Sequence, residues 1–149
     1  MVGYSDEGVM YASVNIVDRS GLRETVKKFP EATEKALGVA TILGMFLIKE
    51  RTSKGISADG KLFKPYSPRY KQWKTEHGHP SHPNLNLHGR MLGSMTTGYR
   101  KQVGRIYFAR KEETYKAIKN EKSRPFFNLN EKERKQVALE FENEFFDLI

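Results

Sequence analysis

The sequence predicts an α+β fold in a single domain spanning residues 1–149, and three observations carry that prediction. Period-two runs near the start and past the middle read as strands, a long apolar stretch at 31–51 reads as a core helix, and a capped amphipathic stretch at 131–148 reads as another. Hydrophobic residues make up 38% of 149 and mean hydropathy is −0.67. That composition leaves room for one modest core beneath much exposed surface.

The elements follow in order. Val9 to Asp18 (VMYASVNIVD) alternates Met10, Ala12, Val14 and Ile16 with Val9, Tyr11, Ser13, Asn15 and Val17, the pattern of a strand. Ser20 and Gly21 interrupt it, and Leu22, Val26 and Phe29 at helical spacing predict a short helix ending before Pro30. Pro30 suits the first turn of the next helix, where its missing N–H has no partner in any case. That helix should run from Glu31 to Arg51, with Ala36, Ala40, Leu43 and Leu47 as its core stripe, widened by Val39, Ile42 and Phe46. Gly38 and Gly44 weaken its intrinsic propensity by about 1 kcal/mol each, which implies close packing against them; Gly55 marks the exit.

Ser67-Pro68 is an N-cap followed by proline at the first helical position, opening a short helix through Lys74 with Tyr70, Trp73 and His77 on one face. A further short helix from His88 to Met95 directs Met91, Leu92 and Met95 to the core. Thr96 to Arg110 reads as two strands joined near Val103-Gly104, with Ile106 and Phe108 on one face and Tyr107 and Ala109 on the other, for three strands in all. Glu112 to Lys122 reads as a mostly polar helix, and Arg124 to Phe127 as extended chain. Asn130 with Glu133 has capping-box spacing, and Val137, Phe141, Phe145 and Leu148 form a stripe.

Gly60 to Met95 is basic, aromatic and prolyl, and holds all four histidines, His77, His79, His82 and His88. Such a segment is a metal site or a working surface. Histidines without cysteine, and with only Glu76 nearby as a carboxylate, lack the usual ligand spacing of zinc sites, so they read as polar loop residues. The absence of cysteine excludes disulfides, thiolate metal sites and cysteine nucleophiles. No GxSxG or HExxH occurs, and Gly55 to Lys61 misses the phosphate-loop pattern because no Ser or Thr follows the lysine. Neither catalytic residues, cofactor nor metal is therefore expected. Met1 to Met10 shows no basic stretch followed by an apolar run, so no secretory signal is expected. The most apolar stretch, Ala36 to Ile48, has 13 residues against the roughly 20 that a membrane span requires.

The net charge of +8 is unevenly spread. Lys49 to Lys74 holds eight bases against Glu50 and Asp59, and Arg90 to Arg124 holds ten against Glu112, Glu113 and Glu121. Residues 131–149 reverse the sign, with six acids against Lys132, Arg134 and Lys135. This pattern suits contact with nucleic acid or a self-complementary subunit. Rings interleaved with bases in LFKPYSPRYKQWK could serve as a single-strand platform at 61–74, but the same composition suits a protein interface and is weighed in that direction.

The motifs also carry a resemblance. Gly60, Phe63, Pro65, Ser67, Tyr70 and Lys74, then Leu87, Gly89, Arg90, Met91 and Ser94, then a hairpin, then Arg124, Pro125, Phe126 and Phe127 before an amphipathic helix are, in that order, similar to the phage virion morphogenesis and tail-completion family. The family's Thr-Gly before the second motif's leucine stands here as His88-Gly89-Arg90-Met91, and Glu113 to Ala117 match its pattern after the hairpin poorly. The resemblance implies a small curved antiparallel sheet backed by the long helix, in a head–tail connector or tail terminator that forms a homo-oligomeric ring with other neck and tail proteins. It further implies an extended arm at about 52–87 that orders on assembly. Subunit-interface candidates are then Phe63, Tyr66, Arg69, Tyr70, Trp73, Arg124, Phe126 and Phe127. Lys61, Lys64, Lys71, Arg100, Lys101 and Arg105 are candidates for facing passing DNA in a ring lumen.

Overall fold

A computed structural model of the chain describes residues 2–4, 10–15, 22–85, 89–100 and 102–149. Val9, Ile16, Val17, Asp18, Ser20, Gly21, Leu87, His88 and Lys101, which figured in the sequence reading, lie outside them. The fold is α+β. An antiparallel sheet of β1 (Val2–Tyr4), β2 (Met10–Asn15), β3 (Met95–Arg100) and β4 (Val103–Phe108) has the order β1-β2-β4-β3. Around it lie α1 (Leu22–Lys28), α2 (Pro30–Ser53), α3 (Pro68–Glu76), α4 (Arg90–Gly93), α5 (Lys111–Ser123) and α6 (Glu131–Leu148).

The sheet buries one face and leaves the other half open, as period-two patterning requires. Met10, Ala12, Ile106 and Phe108 point into the core, whereas Tyr11, Arg105 and Tyr107 lie half-buried on the opposite side. Two features correct the sequence reading of this sheet. The short strand Val2–Tyr4 adds a pairing that was not predicted. Arg100 lies opposite Val103 across the hairpin and Gln102 holds φ at 59, so Val103 and Gly104 belong to the strand. Gly104 is there because α2 crosses against it: a Cβ at that position would collide with the Thr41 hydroxyl.

Pro30 opens α2 as predicted, and Thr33 ties it to α1 by donating to the carbonyls of Val26 and Phe29. The helix ends in a paired turn in which Gly55 N–H bonds Thr52 O at 2.9 Å and Ile56 N–H bonds Arg51 O at 3.2 Å. Gly55 holds φ at 76, the left-handed conformation that such a turn needs. Thr33, Ala36, Leu37, Ala40, Thr41, Gly44, Ile48, Arg51 and Thr52 are buried. Leu43 and Leu47 flank this face half-buried, while Val39, Ile42 and Phe46 lie outside it. The expected close packing exists at Gly44, which meets Ile106, Leu129 and Val137, but Gly38 has nothing near it.

The α6 helix runs antiparallel to α2. The predicted capping box is present: Asn130 Oδ1 accepts from Glu133 N–H and Glu133 Oε2 from Asn130 N–H, both at 2.9 Å. Val137, Phe141 and Phe145 are buried along the predicted stripe, but Leu148 is exposed. A buried ion pair joins Arg51 near the end of α2 to Glu133 on the first turn of α6, and Arg51 also donates to the carbonyls of Phe126 and Asn128. Desolvating two charges is costly unless their remaining hydrogen-bonding positions are filled, and these contacts fill several of them.

The candidate functional site

Residues 55–65 do not project as an arm. Ile56 bridges Leu62, Phe63 N–H bonds Gly55 O at 2.8 Å, and Ala58 N–H bonds Pro125 O at 2.8 Å. From the other side, Arg124 donates through Nε to Lys64 O at 2.9 Å and through Nη2 to Pro65 O at 3.3 Å. The segment is thereby bound to the turn between α5 and α6. Phe63 is buried as its anchor.

The same turn buries Phe126 and Phe127, both 0% exposed. The Glu121 carboxylate holds them by accepting from the backbone N–H of each at 3.0 Å, and their rings pack with Phe108. Phe63, Phe126 and Phe127 are therefore core residues and offer no outer surface, which corrects their assignment as interface candidates. A short extended run gives no periodicity from which its burial could be read.

The helix α3 begins as predicted, with the Ser67 hydroxyl accepting from Tyr70 N–H and Pro68 at the first position. Its rings form a ladder. Tyr66 meets Tyr70 edge-on at 4.9 Å, Tyr70 stacks on Trp73 at 5.9 Å, and Trp73 stacks on His77 at 4.2 Å. Tyr70 and Trp73 thus pack within their own chain, with over a third of each still exposed. Arg69 is exposed beside them. His77 Nδ1 pairs with Trp73 O, and His82 Nε2 with Ser53 O. Among the described residues, no three metal-ligating side chains come together.

Three segments distant in sequence close into a cleft of about 550 Å³. Tyr66, Tyr70 and Lys74 come from the first, Gly89, Arg90 and Met91 from the second, and Glu113, Lys116, Asn120 and Arg124 from α5 and its end. Lys74 is 0% exposed, with Nζ 3.4 Å from Asn84 Oδ1 and 5.0 Å from the centre of the Tyr66 ring. Burial holds its ammonium below the ordinary lysine value. The Arg124 guanidinium lies over the same ring at 4.9 Å, and burial pushes the Tyr66 hydroxyl above the usual tyrosine range. Glu113 accepts from Lys116 through Oε1 at 3.0 Å, whereas its buried Oε2 has no donor among the described residues.

Lys74, Arg90, Lys116, Asn120 and Glu113 were not among the predicted site residues. Lys74 and Arg90 belong to the family-like motifs, so the signal for them was present. For Glu113, Lys116 and Asn120, on a helix read only as polar, there was none. Of the lumen candidates, Lys61 and Lys64 are exposed along the segment leading into α3, and Lys71 is exposed on α3 itself. Arg100 is exposed on β3, and Arg105 lies on β4 with its guanidinium 4.9 Å over the Tyr11 ring. No described helix is long and apolar enough to cross a membrane. No family model, curated protein or solved structure matches the chain.

Proposed function

We propose that this chain is a non-enzymatic structural subunit of the tailed-phage head–tail junction. In this reading it is a tail-completion, tail-terminator or head–tail joining component that works as a homo-oligomeric ring between the capsid portal or adaptor side and the tail. The observation that carries the reading is the outward face of α2. That helix is apolar on all sides at its centre, and helices of this kind belong in an interior. In the single chain, Ile42 is nevertheless 53% and Phe46 58% exposed, with Val39 beside them. Association with further copies would cover this face.

Motif order supports the phage context, and the motif groups come together in one region, as parts of a single pattern should. The ring would reside in the virion with other neck and tail proteins, its bases available to passing DNA through charge alone. The alternative, a nucleic-acid-binding module on residues 61–74, is weakened by the Tyr70–Trp73–His77 ladder. Rings stacked on one another leave fewer faces for bases. The test is to seek the subunit in purified particles by mass and by labelled imaging. A ring at the neck is expected, and absence from the particle would overturn the proposal.

A further inference from the structure

The cleft between α3, α4 and α5 carries more charge than it neutralises. Lys74, Arg90, Lys116 and Arg124 line it against one acid, Glu113. Lys116 is paired with Glu113, and Arg124 is occupied by two carbonyls. The Arg90 guanidinium, exposed at the margin, meets no partner among the described residues. Alongside this positive excess sits a buried acceptor, Glu113 Oε2, without a donor among the described residues. The matching ligand presents carboxylates together with an N–H donor. A nucleic-acid backbone supplies phosphates but no donor, and a cleft of this volume accepts one or two side chains rather than a duplex.

The outer half of α6 has the complementary composition. Residues 136–149 contain Glu140, Glu142, Glu144 and Asp147 and no base. No ion pair is found for these acids among the described residues, and Phe146 stands 54% exposed one turn beyond Glu142. Asn143, between two of the acids, carries an amide donor. This end cannot fill the cleft of its own chain. The first turn of α6 is fixed near Phe126 by Arg51 and Glu133, and the helix running from Glu131 carries Glu142 roughly 17 Å and Asp147 roughly 24 Å along its axis from that turn at 1.5 Å per residue.

We propose that the cleft receives the acidic, aromatic end of α6 from a second copy of this chain. Each subunit gives at one end and receives at the other, a head-to-tail contact that closes into a ring when the rotation between copies allows. The proposal rests on the ring reading and specifies which surfaces meet.

The test uses the full chain in sedimentation velocity, with Arg90→Glu, Glu142→Arg and the double variant. Both positions are exposed, and unchanged thermal unfolding verifies that the variants fold. Each single substitution should weaken self-association at least about tenfold, because it juxtaposes like charges, and the double variant should restore it. Mixing the two singles should also restore assembly, with the two variants alternating, because both junctions between unlike chains have matched charges and only those between like chains do not. If wild-type chains assemble and both singles assemble equally well, the docking proposal fails while the ring reading survives. A wild-type chain that stays monomeric sinks the ring reading and this proposal with it.

Discussion

At its first turn α6 is held by a reciprocal cap, a buried ion pair to α2 and the phenyl-rich turn before it. At its outer turns it carries acids that have no ion pair among the described residues, and an exposed Phe146. A similar contrast divides α2 by face rather than by end: Ala36, Ala40, Gly44 and Ile48 close the interior while Ile42 and Phe46 meet solvent. In both helices one part secures the fold and the other is left over from it. The leftover parts are apolar or singly charged, which is costly in isolation and useful in assembly.

The contrast can be broken first on its secured side. Arg51→Ala leaves Glu133 as an uncompensated buried charge and should cost about 3–5 kcal/mol in urea unfolding; a loss below about 1 kcal/mol would mean that the pair does not hold the two helices. Asn130→Ala removes half of the capping box and should cost about 1 kcal/mol by the same measurement.

On the unsecured side, Phe46→Ser should change chain stability by less than about 0.5 kcal/mol and still reduce self-association in sedimentation. A large stability loss without an effect on association would place Phe46 in the core instead. The smallest effect concerns Lys74, whose ammonium is lowered below the ordinary 10.5 by burial. The folded chain then binds fewer protons than the unfolded chain between the two values. The stability from this group is therefore fully present above 10.5 and lost as pH falls through the lowered value. Wild type should gain on Lys74→Met as pH is raised from neutral toward 10.5, and a pH-independent gap in urea midpoints would contradict the assignment.

These regions also differ in how far the sequence revealed them. The α6 helix was legible because its cap and its spacing are both local. The limits of α2 were legible for the same reason, but its buried face was not, since a helix apolar all round has no periodicity to select one. Gly104 drew the hairpin turn toward itself, although its role is the approach of Thr41 from a helix some sixty residues earlier. Phe126 and Phe127 read as surface because the carboxylate that buries them, Glu121, is on the preceding helix. The cleft was visible only as separate motifs. Its orphaned Glu113 oxygen depends on three segments meeting, and no single segment encodes that.

The most direct measurement is the native mass of the purified wild-type chain over a range of micromolar concentrations. A closed oligomer of one fixed stoichiometry is the predicted result. A monomer at every concentration would contradict the account.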